Sequence, residues 1–481
     1  MRFVLAHGET AAAIMASTYG RLTSQPAPVV VTRGPGAASV ANGAAQATLD
    51  RFPLVVITDT VPAAQAPWVP HQRLDQRAMM APLVTMSATV ADASADEDLS
   101  HLVGRAVAWP SGAVHLDFDP SAPSPTEAFD APPLTVVNIA AMAEARAAME
   151  TADRPLVLVG FEAALWGPAL RSALERFGCP VLTTYQAIGS VPTEGDLNAG
   201  LFTNGALERD MLLQADLIVA LGLDEVEPIP LSWSLEAAVV RLSTVPQERP
   251  YLPIAVDVIA PVDDLLDLLR PTTTTWPPDA ASASRSAQRG ALRTSSTAFG
   301  PLQLVETAAA AVPDHLTTTV DAGAHFLAIM PNWPVAEPLR LLISNGLATM
   351  GFAVPAAIGA ALARPGQPVL ALTGDGGLSM VLSELETIAR LDLPITVVVF
   401  NDAALSLIEI KQRADHGGRQ AVRYQQVDFA AIARASGLDA TVVVDDDELT
   451  AALAGDWNRP RLIDARIDPA DYPHLIRVTR G

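Results

Sequence analysis

The chain has 481 residues, half of them hydrophobic, and a formal net charge of -22. This length exceeds what one hydrophobic core can serve and predicts about two to four domains. The acidic balance argues against nucleic acid as a partner, because no basic stripe is present to neutralise phosphates.

The N-terminal residues and the cysteine content bear on location. The opening sequence, MRFVLAHGET, lacks a basic stretch followed by a long apolar run, so we expect no signal peptide. No segment approaches the roughly 18 uninterrupted apolar residues of a membrane-spanning helix. The single cysteine, Cys179, excludes an internal disulfide and fits a reducing compartment. The sequence therefore predicts a cytoplasmic protein without membrane contacts.

Short apolar runs alternate along the chain with Ala-rich stretches of helical length. Because these runs are apolar throughout, they are typical of strands buried on both faces, which predicts parallel sheets covered by helices. The predicted strands are 2–6, 28–32, 53–58, 154–160, 216–222, 368–374 and 394–401, and the clearest predicted helices are 9–22 and 381–391.

Two changes in composition divide the chain. Residues 271–298 are rich in Thr, Ser, Pro and Ala, have no apolar period, and are predicted as a linker. A second shift lies at 119–133. The sequence therefore predicts three α/β domains, at 1–118, 134–270 and 299–481, each of a plausible size for a domain.

The strongest local signal lies in the third domain. An apolar strand ends in GDGG (374–377), and a helix and a second strand then lead to the pair ND (401–402). Because ligands bind at the carboxyl ends of parallel strands, we expect Asp375, Asp402 and a backbone carbonyl near Ala404 to converge on one hard cation such as Mg²⁺. The glycines would let backbone N–H groups approach a diphosphate. The simpler alternative is a turn in which Asp375 only caps the next helix.

This arrangement resembles the cofactor motif of enzymes that depend on thiamine diphosphate (thiamine pyrophosphate), in particular the acetolactate-synthase-like group. The resemblance implies that Asp375, Asp402 and the carbonyl of Ala404 hold Mg²⁺; Asp402 stands where the family usually has Asn. It also implies that three glycines approach the diphosphate: Gly374, Gly376 and Gly377.

Two further segments match the family in order. Residues 344–362 resemble the segment that passes beneath the centre of the cofactor, where a bulky apolar residue bends thiamine diphosphate into a V. Residues 321–326, DAGAHF, resemble a turn that contacts the diphosphate. The resemblance implies cofactor contacts at five residues of these segments: Ala322, Gly323, His325, Gly346 and Met350.

The first domain carries the residue expected to perform acid–base chemistry. Residues 2–23 resemble a family segment whose glutamate falls at Glu9, and residues 33–58 continue the match. In the family this carboxyl group hydrogen-bonds a ring nitrogen of the pyrimidine and helps the cofactor to lose its C2 proton. The alternative for Glu9 is a surface glutamate that opens a helix.

The middle domain resembles the family's central domain, which binds FAD in acetolactate synthases and their oxidase relatives. The Arg-containing turn that marks that site is Gly222-Leu223-Asp224 here, which argues against FAD. The match begins inside the family's first domain, so we expect this domain to be truncated at its start. In the family the first domain of one subunit faces the third domain of another, which implies a homodimer or homotetramer.

These matches cover nearly the whole chain and imply a decarboxylase or carboligase of a small 2-oxo acid that uses thiamine diphosphate and Mg²⁺. One alternative is a degenerate protein that binds the cofactor without catalysis. Another is a decarboxylase or lyase of a different 2-oxo acid or acyl substrate. A nicotinamide dehydrogenase would need a GxGxxG turn after a strand, which the sequence lacks.

Overall fold

The computed structural model describes residues 3–62, 65, 67–90, 95–119, 137–247, 250, 252–313, 315–416 and 420–481. Within them the chain forms three parallel sheets covered by helices, which confirms the predicted fold class. Apart from Asp119, the composition shift at 119–133 lies outside the described residues. No helix of the described ranges is both long enough and apolar enough to cross a membrane.

The first sheet has four strands. Its region contains α1 (Glu9–Thr23), β1 (Ala27–Val31), α2 (Pro35–Leu49), β2 (Leu54–Asp59), α3 (Gln76–Met80), β3 (Met86–Val90), α4 (Ala95–Val107) and β4 (Ala113–Phe118). The strand order is β1-β2-β4-β3. The strand predicted at 2–6 is wrong for the described residues 3–6. The next two amides, of His7 and Gly8, donate to the Glu384 carboxylate of the third domain instead of extending a strand ladder.

The second sheet has six strands. Its region contains α5 (Ile139–Thr151), β5 (Pro155–Val159), α6 (Phe161–Ala164), α7 (Pro168–Phe177), β6 (Val181–Thr183), a 3-10 turn (Tyr185–Ala187), β7 (Asn198–Leu201), α8 (Arg209–Gln214), β8 (Leu217–Leu221), β9 (Ala238–Ser243), β10 (Ile254–Ile259) and α9 (Val262–Leu266). The strand order is β10-β9-β8-β5-β6-β7. The central strands β5 and β8 are buried along their whole length, as their continuous apolar sequences predict.

The segment predicted as a linker carries a helix, α10 (Ala280–Ala291). This helix lies along β7 through polar contacts. Ser284 donates to the carbonyl of Ala199 at 2.8 Å, and Gln288 accepts from the amide of Leu201 at 3.0 Å. Because its buried face carries only small or polar residues, such as Ala281 and Gln288, α10 has no large apolar residue to mark it in the sequence.

The third sheet also has six strands. Its region contains α11 (Pro301–Ala311), β11 (Thr317–Val320), α12 (Phe326–Asn332), β12 (Leu341–Ile343), α13 (Ala353–Ala363), β13 (Val369–Gly374), α14 (Asp375–Ser379), α15 (Glu384–Arg390), β14 (Ile395–Asn401), α16 (Ser406–His416), α17 (Phe429–Ala435), β15 (Asp439–Val443), α18 (Asp446–Leu453), β16 (Arg461–Arg466), a 3-10 turn (Pro469–Asp471) and α19 (Tyr472–Arg480). The strand order is β12-β11-β13-β14-β16-β15. All residues of β14 are buried, so its end is held firmly beside that of β13.

The three regions meet around residues 50–52, just after α2. The ring of Phe52 lies 6.4 Å from that of Phe161 in the second region and 6.4 Å from that of Phe352 in the third, measured between centroids. The neighbouring Asp50 accepts a hydrogen bond from the amide of Gly346 at 2.6 Å. One short loop of the first region therefore contacts both of the others.

Candidate active site

Asp375 stands where β13 passes into α14 and is 2% exposed. Its Oδ1 atom accepts two hydrogen bonds, from the amide of Gly376 and the phenol of Tyr424, both at 2.7 Å. Its Oδ2 atom is buried, and no residue in the described part of the chain hydrogen-bonds it. Burial raises the pKa of Asp375 above its ordinary value. A side chain that only capped α14 would not keep a buried oxygen unpaired, so the geometry favours a ligand role.

Asp402 follows the end of β14, beside Asp375. The two strands are parallel neighbours, with Gly374 opposite Phe400, so their carboxyl ends lie at one edge of the sheet. Burial, together with the nearby carboxylate of Asp375, raises the pKa of Asp402 to about 7. The hydroxyl of Ser406 donates to Oδ2 of Asp402. The structure thus brings the two predicted acidic ligands together.

The backbone after Asp402 turns sharply and is fixed by a second segment. Ala403 adopts a positive φ of 56°, a conformation that non-glycine residues rarely take. Its carbonyl accepts from the amide of Tyr424 at 3.2 Å, and Ala404 forms an antiparallel bridge with Arg423. This pairing holds Ala404 next to the two aspartates, close enough for its amide to lower the pKa of each carboxyl group.

The turn at 321–325 packs directly against the GDGG sequence. The His325 ring stacks on Phe400 with 5.1 Å between centroids, and a Cβ built on Gly374 would lie 3.2 Å from that ring. Burial lowers the pKa of His325 to about 4, so the ring is neutral at pH 7. Its Nε2 atom is buried and has no hydrogen-bond partner among the described residues. Gly323 lies beneath the same ring, where a Cβ would come within 2.5 Å of it, and Ala322 is half-buried beside it.

Asp321 ties this turn to its neighbours. Its Oδ1 atom accepts from the amides of Ala322 and Gly351, each at 2.9 Å, and its Oδ2 atom accepts from Thr373 at 2.9 Å. A Cβ built on Gly377 would lie 2.5 Å from that Oδ2 atom, so this position requires glycine. Burial raises the pKa of Asp321 to about 6. The side chain therefore joins the 321–325 turn, the 350–352 segment and the GDGG sequence.

Met350 lies over the same turn. Its terminal methyl is 3.5 Å from the position that a Cβ on Gly376 would take, and a Cβ there would also come within 2.6 Å of Leu405. Met350 is only half-buried. It therefore presents part of its side chain close to the two aspartate-bearing strand ends.

Two predicted residues lie elsewhere in this chain. Gly346 faces the first region, because a Cβ on it would meet the carbonyl of Leu49 at 2.5 Å. Glu9 opens α1, and its Oε1 atom is 3.7 Å from the Cβ position of Gly36 at the start of α2. Glu9 thus lies on a helix of the first region, and the Asp375 cluster lies in the third.

Comparison with known proteins assigns a family to this geometry. Three models of the thiamine pyrophosphate enzyme match the chain: its N-terminal TPP binding domain over 1–79, its central domain over 142–269 and its C-terminal TPP binding domain over 321–465. An acetolactate synthase of Bacillus subtilis (strain 168) is 30% identical across 98% of this chain and 87% of its own length. This chain belongs to the thiamine pyrophosphate enzyme family.

Two further relatives carry the names of an acetolactate synthase and of a decarboxylase. Acetolactate synthase isozyme 1 large subunit of Escherichia coli (strain K12) is 28% identical across 98% of this chain and 88% of its own length. A probable 2-ketoarginine decarboxylase of Pseudomonas aeruginosa is 31% identical across 94% of this chain and 84% of its own length.

The residues of this thiamine pyrophosphate enzyme fit a divalent cation bound together with a diphosphate. The unpaired Oδ2 atom of Asp375 is a hard oxygen ligand of the kind that Mg²⁺ prefers. Across the described ranges, no group of three or more His, Cys, Asp or Glu side chains could hold a metal ion. A cation here would therefore complete its shell with a backbone carbonyl, water and diphosphate oxygens, which is the usual arrangement for Mg²⁺.

The central region does not fit FAD. At its Gly222-Leu223-Asp224 turn, the carboxylate of Asp224 is paired with Arg51, with Nε–Oδ2 at 2.7 Å. A Cβ on Gly160 would lie 2.3 Å from Cα of Leu223, so the turn packs tightly on the start of α6. The amide of Phe161 at that helix start already donates to the buried Glu227. The turn is therefore closely packed and carries a carboxylate in place of the arginine, which does not suit the diphosphate of a flavin.

Sequence reasoning missed several residues of this thiamine pyrophosphate enzyme's site. The missed residues that contact the predicted ones are Asp321, Thr373, Phe400, Ser406 and Tyr424. Ser406 follows Asp402 by only four positions, at the first residue of α16, so its closeness in sequence was the available signal. Asp321 lies inside the quoted DAGAHF segment. Tyr424 lies on an irregular segment, 49 positions from Asp375, and no local signal marks it.

Proposed function

We propose that this chain is a thiamine-diphosphate- and Mg²⁺-dependent enzyme that removes carbon dioxide from a small 2-oxo acid. The product is released or joined to a second carbonyl compound, as in an acetolactate synthase. The observation that carries the proposal is the pair Asp375 and Asp402 at adjacent strand ends, with Oδ2 of Asp375 buried and unpaired among the described residues. The names of the relatives support the substrate class.

The third region binds the cofactor's diphosphate end. Asp375, Asp402 and the carbonyl of Ala404 would hold Mg²⁺, and the lack of side chains at the GDGG glycines gives the diphosphate close access to the backbone. Met350 would support the centre of the cofactor. His325 is neutral and close to Gly374, so it contributes no opposing charge to the cation and can contact the diphosphate side.

The first region supplies the acid–base group. Bound thiamine diphosphate supplies the electron sink at which the bond next to the substrate carbonyl breaks. Glu9 would hold a proton between its carboxyl group and the pyrimidine N1′ atom and so promote loss of the C2 proton. Because the family resemblance implies that the first domain of one subunit faces the third domain of another, we propose that Glu9 and the Asp375 cluster act on one cofactor from different chains of a homodimer or homotetramer.

The limits 1–118, 134–270 and 299–481 are our proposal for the three domains, and a cytoplasmic location is our proposal for the protein. The single cysteine, Cys179, supports that location because one cysteine forms no internal disulfide, which fits a reducing compartment.

A second candidate is a decarboxylase of a larger, cationic 2-oxo acid. The relative named as a probable 2-ketoarginine decarboxylase is as similar to this chain as the acetolactate synthases are. A substrate panel separates the two, because only the first candidate needs a small apolar side chain on its substrate.

The test is release of carbon dioxide by the purified protein from a panel of 2-oxo acids, with thiamine diphosphate and Mg²⁺ present and then withheld. Mass spectrometry of small molecules bound to the purified protein guides the choice of substrates. Glu9→Gln should lower turnover by about 10²- to 10⁴-fold while the cofactor still binds. The matched control is Glu306→Gln, at an exposed pair with Arg293. Cofactor binding with no turnover of any 2-oxo acid would instead indicate a degenerate binding protein.

A further inference from the structure

The N-terminus of α1 is held by a carboxylate from another region. Glu384, at the start of α15, is fully buried, and its Oε1 atom accepts from the amides of His7 and Gly8, both at 3.0 Å. Its Oε2 atom accepts from Thr387 at 2.8 Å, which fixes the side-chain rotamer. A buried carboxylate with both oxygens bonded is rigid and cannot shift without breaking charge-assisted hydrogen bonds.

This contact replaces a cap that α1 lacks. The N-cap residue is Gly8, which has no side chain to bond the first helical amides. In an ordinary capping box, a glutamate three positions into the helix reaches back to the N-cap amide. Here that amide is taken by Glu384, which is distant in sequence and belongs to the third region.

Helix α15, which begins at Glu384, also contacts other residues of the segment 5–8 that precedes Glu9. Arg390 donates to the carbonyl of Leu5 at 2.6 Å, and the exposed Glu386 contacts the His7 ring at 2.7 Å. These outer contacts are exposed, so solvent competes with them. The Glu384 contact is shielded and touches the residue directly before Glu9, so it determines where Cα of Glu9 lies.

We propose that Glu384 is a positioning residue for Glu9. It sets the height and direction of the α1 N-terminus so that the Glu9 carboxyl can reach the pyrimidine ring. The inference rests on the proposed function, because it assigns no activity to Glu384 itself. Its consequence is that moving the Glu384 oxygen by one bond length slows proton transfer at the cofactor without changing how the diphosphate is held.

Two substitutions separate position from charge. Glu384→Asp keeps the charge but withdraws the oxygen by about 1.5 Å, beyond the hydrogen-bond range of the two amides. Glu384→Gln keeps an oxygen in place for both amides, and the hydroxyl of Thr387 can rotate to accept from the new amide group. Glu386→Gln is the matched control, since Glu386 contacts only side chains of this segment and of its own helix.

The readout is exchange of the C2 proton of bound thiamine diphosphate for deuterium, measured by acid quench and NMR, beside the dissociation constant of the cofactor. We expect Glu384→Asp to slow exchange by about tenfold to a hundredfold, with cofactor affinity unchanged, because displacement by about 1 Å can have effects of this size. Glu384→Gln and Glu386→Gln should exchange at nearly the wild-type rate. If Glu384→Asp does not fold, Thr387→Val, which removes the hydrogen bond to Oε2 and so frees the Glu384 rotamer, should still slow exchange several-fold.

Each contrary result has a distinct meaning. Wild-type exchange in both Glu384→Asp and Thr387→Val would overturn the positioning role, as would a loss of cofactor affinity that accounts for the whole effect. If Glu9→Gln also exchanges at the wild-type rate, the proposed function fails and takes this inference with it. If Glu9→Gln is slow and Glu384→Asp is not, only this inference fails.

Discussion

The phenol oxygen of Tyr424 lies 2.7 Å from Oδ1 of Asp375 and donates its proton to it. The amide of Gly376 donates to the same oxygen, so both donors lie on one side of the carboxylate. Oδ2 is left without a hydrogen bond from any described residue. Contacts of this kind orient a metal-binding carboxylate, because they fix one oxygen and leave the other for the ion.

Tyr424→Phe should therefore weaken Mg²⁺ binding. Loss of the phenol lets the Asp375 carboxylate rotate, and we expect the affinity for Mg²⁺ in the presence of thiamine diphosphate to fall by about tenfold or more. Isothermal titration calorimetry measures this directly. Tyr19→Phe, in α1, is the matched control. Equal affinities in the two variants would show that Tyr424 does not orient Asp375.

The two aspartates should respond differently to the change to asparagine. In Asp375→Asn, the amide oxygen can keep the contacts with Tyr424 and Gly376, which puts an NH₂ group where Oδ2 was, and an NH₂ group cannot ligate Mg²⁺. We expect loss of cofactor binding by about a hundredfold or more, by analogy with removal of other direct ligands and their supports. Asp402→Asn should be far milder, because an amide oxygen can still face the ion and the repulsion between the two carboxylates disappears.

Cofactor titrations on the two variants at equal Mg²⁺ concentrations measure this contrast. A thermal melt of each variant without cofactor is the control for folding. If the Asp402 variant lost binding as completely as the Asp375 variant, the charge of Asp402 rather than its oxygen would be essential.

The fold could be predicted from the sequence because its strands are continuous apolar runs. Strands such as β5, β8 and β14 are buried on both faces. A strand buried on both faces consists almost entirely of apolar residues, which can be recognised in the sequence. The helix α10 could not be predicted in this way, since Gln288 and Ser284 attach it through polar contacts. The strand predicted at the N-terminus failed because Glu384 binds the backbone after it, and no local pattern reveals a partner so distant in sequence.

Some residues of the candidate site could also be predicted from the sequence, and others could not. Asp375 and Asp402 could be found because each follows an apolar strand directly, so sequence position gives spatial position. Tyr424 could not be found, because it reaches Asp375 from an irregular segment whose path depends on pairing with Ala403 and Ala404. For Glu384 the sequence predicted only that it lies in a helix. Its proposed positioning role depends on the packing of the first region against the third, which the sequence does not show.

The buried carboxyl group of Asp50 should make stability depend on pH. Burial raises the pKa of Asp50 to about 6, from an ordinary value of 3.8. The folded chain therefore keeps a proton on Asp50 between about pH 4 and 6 that the unfolded chain has released. Stability contributed by this group is complete below about pH 4 and is lost as pH rises through 6, by a total on the order of 3 kcal/mol.

Asp50→Asn removes this titration. We expect the melting temperature of the variant to rise relative to the wild type between pH 4 and pH 7, because only the wild type loses the contribution. Differential scanning fluorimetry of both proteins across this range measures the difference in melting temperature. The contributions of other titrating groups are common to both proteins and cancel in this difference. Asp196→Asn, at an exposed aspartate, is the control and should follow the wild type at every pH. A constant difference for Asp50→Asn would mean that its pKa is not raised.

The ion pair of Arg51 and Asp224 joins the first and central regions. It should contribute more to the free energy of unfolding than an exposed ion pair does. The pair is bidentate, with Nε–Oδ2 at 2.7 Å and Nη2–Oδ1 at 3.0 Å, and the side chains are only 14% and 7% exposed. Removing one partner leaves the other charge buried, so Arg51→Ala and Asp224→Ala should each lower the free energy of unfolding by about 3 kcal/mol. The double variant should lose less than the sum of the two, because no lone buried charge remains.

The comparison pair is Arg293 and Glu306, whose side chains are 68% and 42% exposed. Alanine substitutions there should change stability by under about 1 kcal/mol, since water screens an exposed pair. Urea unfolding is monitored by tryptophan fluorescence for the four single variants and the two double variants. These measurements complete a double-mutant cycle for each ion pair. If the Arg51 and Arg293 variants lost equal stability, water would already reach the Arg51–Asp224 pair, and the first region would be held to the central one by the aromatic contact of Phe52 with Phe161 instead.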